Sequence, residues 1–98
     1  MVYLNWTDQS VEDLINIGEF ISKNSLKYSV IQIKRLRERA KILKVQPLLG
    51  RVVPEINDES IRELLMGNYR IIYRIISQER IDILTVHHSA KLLRSELL

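Results

Sequence analysis

The chain has 98 residues, 46% of them apolar, a net charge of +3 and no cysteine. That length supports one domain with a modest core, and the missing cysteines exclude disulfides and thiolate metal sites. No window approaches the roughly 18 unbroken apolar residues of a membrane-spanning helix. The start, "MVYLNWTDQS", lacks the basic and apolar regions of a signal peptide, so a cytoplasmic location with no membrane partner is expected.

In chain order, Val2 to Trp6 is short and rich in β-formers and reads as a strand. Thr7 or Asp8 can cap the helix that follows, in which Val11, Leu14, Ile15, Gly18 and Ile21 form an apolar stripe at helical spacing. Ser25 can cap a second helix running to about Lys44, with Ile33, Leu36, Ala40 and Leu43 on its buried face. The short connection makes the two helices an antiparallel hairpin, and Pro47 and Gly50 end the helical region. Three strands follow: Ser60 to Met66, Asn68 to Ile76 and Arg80 to His88. A tight connection at Met66-Gly67-Asn68 joins the first two. Consecutive strands with short loops imply an antiparallel meander. The whole is an α+β fold: an N-terminal strand, a helical hairpin, and a three-stranded meander with one face covered by the helices. Tyr69, Ile71, Tyr73 and Ile75 should lie beneath the hairpin, and the opposite sheet face should be partly uncovered. The tail "SAKLLRSELL" from Ser89 can form a last helical turn or stay mobile.

Charge is unevenly placed. Between Lys23 and Lys44 stand eight Lys or Arg and one acid, Glu38, whereas Val45 to Leu98 carries seven residues of each sign. Within the second helix Lys34, Arg37, Lys41 and Lys44 repeat at helical spacing and form a basic stripe beside the apolar one. Such a stripe can follow a phosphate backbone or an acidic partner, or simply face solvent. On the strands, alternation puts Arg70 and Arg74 on one face. Arg62 can lie across from Arg70 if the register is tight, and Arg51 precedes them. A planar guanidinium fork binds phosphate well. The alternative is that these arginines pair with Glu55, Glu63 or Asp82 as ordinary sheet charges. His87 and His88 are adjacent, so only one can share the arginine face and serve there as a general acid or base. A two-histidine metal site is not expected. With no Gly-rich phosphate loop, Ser-His-Asp pattern or paired carboxylates, no cofactor is expected.

Together "GRVVPE", "IRELLMGNYRIIYRI" and "IDILTVHHSAKLL", with Trp6 near the start and the apolar stripe of the first helix, resemble the RelE/ParE superfamily of type II toxin–antitoxin toxins. The resemblance covers nearly the whole chain and is strongest from Gly50 to Leu93. It implies a toxin held inactive by a cognate antitoxin in a hetero-oligomer, whose acidic or amphipathic segment folds onto the toxin. The RelE-like branch cuts mRNA on the ribosome; its catalytic set here would be Arg62, Arg70 and His88. The ParE-like branch poisons DNA gyrase without that set. Arg51, Arg70, Arg74, Lys34, Arg37, Lys41, Lys44 and Lys91 would then contact the target or the antitoxin. A basic residue expected two positions after Arg62 is Leu64, and no tyrosine follows the last strand. The resemblance therefore leans to the ParE-like branch, with the ribosome-dependent endoribonuclease as the alternative and an inactive, antitoxin-binding relative as a third.

Overall fold

The computed structural model describes residues 1–89. The expected helical turn after Ser89, and the candidate Lys91, lie outside the described residues. Strand β1 (Tyr3–Trp6) leads into helices α1 (Asp8–Ser22) and α2 (Leu26–Ala40), which a 3₁₀ turn at Lys41–Lys44 extends. Strands β2 (Arg51–Val52), β3 (Ile61–Met66), β4 (Tyr69–Ile75) and β5 (Arg80–His88) follow. The sheet order is β1-β5-β4-β3-β2; β1 runs parallel to β5 and every other pair is antiparallel. The expected α+β architecture is the one observed. The two-residue β2 was not foreseen, because its pairing with β3 is tertiary and its length gives no periodicity.

Local chemistry sets the element boundaries. Thr7 caps α1: its hydroxyl accepts from the Ser10 amide at 3.2 Å and donates to the Ile83 carbonyl at 2.7 Å, tying the helix start to the sheet. Ser25 caps α2 by accepting from the Tyr28 amide at 3.0 Å. Gly67, at φ 59°, takes the left-handed position of the β3–β4 turn.

The main core lies between hairpin and sheet, where Leu36, Ala40, Leu43, Ile71, Tyr73, Ile81 and Ile83 are fully buried. Tyr69 and Ile75 pack against this core, so the face of β4 expected beneath the helices is there. Helix α1 differs from its expected stripe. Its inward residues are Ser10, Leu14 and Ile17, while Val11 and Ile15 remain 44% and 55% exposed. Two polar residues on the packed side account for the rotation. The Ser10 hydroxyl donates to the Thr7 carbonyl at 2.8 Å, and Asp13 accepts from the Val86 amide at 3.0 Å and from the Thr85 hydroxyl. Asp13 thus covers the stretch of β5 edge that the short β1 leaves open.

The opposite sheet face carries a second, smaller core. Val53, Ile61 and Ile72 are buried there, with Ile56 and Leu84 packed against them. The segment after β2 folds over the face that the sequence reading left partly uncovered.

The site candidates around an alternating charge network

Register decides which charged side chains meet. β3 and β4 are joined by a two-residue turn, so Arg62 pairs with Tyr73 and Arg70 with Leu65. Paired residues share a face. Arg62 therefore lies on the helix side of the sheet, and Arg70 and Arg74 lie on the other. The expected juxtaposition of Arg62 and Arg70 does not form. Arg62 instead donates from Nε to the Glu59 carbonyl at 2.9 Å and from Nη1 to the Gly50 carbonyl at 3.0 Å, fastening the loops on either side of β2.

The histidines are set by a bulge. Ile72 pairs with Thr85 but Tyr73 pairs with Ile83, which leaves Leu84 as the extra residue of β5. Ile81 and Ile83 face the helices before the bulge; Val86 faces them after it. His88 thus falls on the helix side, its ring 5.4 Å from that of Tyr69 in an edge-to-face contact. His87 pairs across the sheet with Arg70. The proposed set of Arg62, Arg70 and His88 is divided between two faces, and His88 is not the histidine beside the arginines.

Arg70 itself is enclosed. Its Nε donates to Glu63 at 2.5 Å, and its two terminal nitrogens donate to Glu55 at 2.7 and 2.9 Å. The other oxygen of Glu63 accepts from Arg51 Nε at 2.6 Å. The side chains of Glu63 and Arg70 are 0% and 8% exposed, whereas that of Arg51 is 61% exposed. Two guanidiniums and two carboxylates alternate in a network of zero formal charge. A buried charge is tolerated only with such partners. Each nitrogen of the Arg70 fork donates to a carboxylate, and the side chain is 8% exposed, so the guanidinium does not stand open to a phosphate. Among the sequence alternatives, pairing with Glu55 and Glu63 is the one observed, buried at Glu63 and Arg70 and still reached by solvent at Glu55.

The network has a pH signature. The two-pronged bond from Arg70 lowers the Glu55 carboxyl from 4.5 to about 2. A depressed folded-state pKa adds stability above the unfolded value, and the addition fades as the group protonates. The Glu55 contribution should therefore be complete above about pH 4.5 and lost as pH falls toward about 2. Melting temperatures from pH 7 to pH 2 should fall less steeply in Glu55→Gln than in the wild type.

The remaining candidates are surface residues. Lys34, Arg37 and Lys41 are exposed along α2, with Lys41 bonded to Glu38 at 2.9 Å. Lys44 departs from that row: it sits half-buried in the 3₁₀ turn, and its carbonyl accepts from the Val2 amide at 3.3 Å. Arg74 pairs with Ile61 and Asp82 across the sheet and makes no ion pair within 4.0 Å among the described residues. One anchor escaped the sequence reading. The Tyr73 hydroxyl donates to the Pro47 carbonyl at 2.7 Å and accepts from the Gly50 amide at 3.0 Å, holding the loop before β2 over the core.

A sequence profile described as the ParE toxin of the type II toxin–antitoxin system, parDE, matches residues 4–93. The chain belongs to the ParE toxin family. No curated protein matches the sequence. Among solved structures, a chain of the chromosomal ParDE system from P. aeruginosa is 20% identical with a TM-score of 0.74, covering 90% of this chain and 96% of that one. A chain of the RelBE2 toxin–antitoxin complex from Mycobacterium tuberculosis is 22% identical with a TM-score of 0.64, covering 89% and 96%. At these identities the likeness to both is one of fold. A ParE toxin and a RelBE component share that fold, so it does not by itself distinguish their targets. No helix among the described residues is long and apolar enough to cross a membrane.

Proposed function

We propose that this ParE-family toxin acts by binding DNA gyrase, without chemistry of its own, and is neutralised in the cytoplasm by a cognate antitoxin in a hetero-oligomer. One observation carries the choice of target: the three side chains that RNA cleavage would use do not converge. Arg62 and His88 occupy the helix side of the sheet, and Arg70 is enclosed by two carboxylates on the other. Leu64, where the nuclease branch would place a base, is 3% exposed in the core. Of the candidate sheet arginines, Arg51 and Arg74 are left to meet a partner: the Arg51 side chain is 61% exposed, and Arg74 is half-buried with no ion pair within 4.0 Å among the described residues.

The test is a parallel assay of one toxin preparation. With gyrase and supercoiled DNA it is expected to accumulate cleaved, protein-bound DNA, and with translating ribosomes to leave the mRNA intact. Ribosome-dependent mRNA cleavage with gyrase untouched would reject this reading.

A further inference from the structure

Helix α2 meets α1 through Ser29 and Ile33, which stand beside Gly18. Its other flank runs beside β3 and the β3–β4 turn, and a trough follows that junction. At one end is a recess of about 310 Å³, lined by Tyr28, Gln32 and Arg35 of α2 and by Tyr69 of β4. A second groove shares Arg35 and Met66 with it and continues past Arg39 and Ile42. The polar groups of the recess lack partners. Gln32 is 6% exposed, and among the described residues its carboxamide, the Tyr28 hydroxyl and the Arg35 guanidinium make no hydrogen bond. The polar atoms of Gln32 are not sealed inside the protein, so they open on the recess. A buried carboxamide needs a donor and an acceptor opposite it, and in the free chain only solvent offers them. Burial and the nearby Tyr28 raise the Tyr69 phenol above its ordinary value, which marks the two phenols as neighbours. Charge along the trough is positive. Arg35 and Arg39 stand one helical turn apart, about 6 Å along the axis, and neither makes an ion pair within 4.0 Å among the described residues. Arg39 donates from Nε to the Leu65 carbonyl at 3.4 Å, which leaves its terminal nitrogens for a ligand. The acid that lines the trough is Glu38, and Lys41 already pairs with it at 2.9 Å.

We infer that this trough binds a single-stranded nucleic-acid segment, with one base in the recess and successive phosphates on Arg35 and Arg39. Each part of such a ligand answers a part of the site. A base edge presents donor and acceptor side by side, as the Gln32 carboxamide requires, and its flat face can lie on the half-exposed ring of Tyr28. Planar guanidinium forks take phosphates, and two of them a turn apart suit a ligand whose negative charge repeats. A paired, stacked base cannot enter the recess, so the ligand is a single strand. An acidic peptide would occupy the arginines but leave Gln32 and the two tyrosines unused. The site lies on the side of α2 away from α1 and is distinct from the row of Lys34, Arg37 and Lys41. It does not depend on whether the target is gyrase.

The test is fluorescence anisotropy of the full-length chain with short labelled oligonucleotides: a DNA single strand, an RNA single strand of the same sequence and the DNA duplex. The chain is expected to bind at least one of the single strands, and more tightly than the duplex. Tyr28→Ala should weaken that binding about tenfold with the thermal melt unchanged, since the side chain is half-exposed. Gln32→Met keeps the length of the side chain and should weaken it several-fold. Arg35→Gln and Arg39→Gln should each reduce the slope of log affinity against log salt by about 0.7, which a merely structural role would not do. A chain that binds neither single strand at low salt overturns the inference. So does binding that the duplex matches, that Tyr28→Ala leaves unmoved, or that is lost only in Lys34→Gln/Arg37→Gln. Tyr28-dependent binding of an acidic peptide, with no binding of the oligonucleotides, would also overturn it and assign the trough to a protein partner.

Discussion

Replacing Glu63 with alanine is expected to lower stability by about 3 kcal/mol, the lower end of what removing one partner from a buried ion pair costs. Three contributions set that size. The Glu63 side chain is fully buried and accepts from two guanidiniums, so its loss removes two charge-assisted bonds at once. The exposed Arg51 can return to water at little cost. Arg70 cannot, but it keeps its two-pronged bond to Glu55, which holds the loss at the lower end of the range. Glu63→Gln preserves shape and one acceptor and should cost about half as much. For a chain of this size the alanine variant should melt about 15 °C below the wild type. A melting temperature within a few degrees of wild type would mean that the network holds little of the fold together.

Gly50→Ala is expected to destabilise the chain by a similar amount, for a steric reason. A Cβ at Gly50 would stand 2.6 Å from the Glu63 carbonyl oxygen and 2.6 Å from the Tyr73 hydroxyl. The carbonyl belongs to β3 and cannot swing aside, so the loop must lift. Lifting it breaks the bond from the Gly50 amide to Tyr73, and the bond from Tyr73 to Pro47 goes with it. Overpacking and two lost buried hydrogen bonds together amount to about 3 kcal/mol. Tyr73→Phe separates the two contributions: it removes the bonds without the collision and should cost about half. An alanine variant as stable as the wild type would show that the loop has room the geometry denies it.

These two residues show where the sequence was readable. Helix α2 was plain, because Ser25 caps it and Leu36, Ala40 and Leu43 repeat at helical spacing against one core. The buried face of β4 was plain for the same reason, at period two. Helix α1 misled, because its packed side includes Ser10 and Asp13, whose polar groups are satisfied by backbone atoms and so look like surface residues. The strand faces were harder still. Whether Arg62 meets Arg70 depends on a turn of two residues rather than three, and whether His87 or His88 meets them depends on one bulged residue, Leu84. A bulge changes every facing after it and leaves no mark on composition. The Tyr73 anchor was hidden because Tyr73 reads correctly as core while its hydroxyl reaches a loop 26 residues away in sequence.

On the proposed function, Arg70 serves the fold and not a reaction. The most direct measurement is growth after induction, without antitoxin, of a chain carrying Glu55→Gln, Glu63→Met and Arg70→Met. Neutral side chains of similar volume can replace a buried ion network without loss of stability, so this variant is expected to fold and to arrest growth as the wild type does. A variant that keeps the wild-type melting temperature but leaves growth unaffected would contradict the claim and return Arg70 to the functional site.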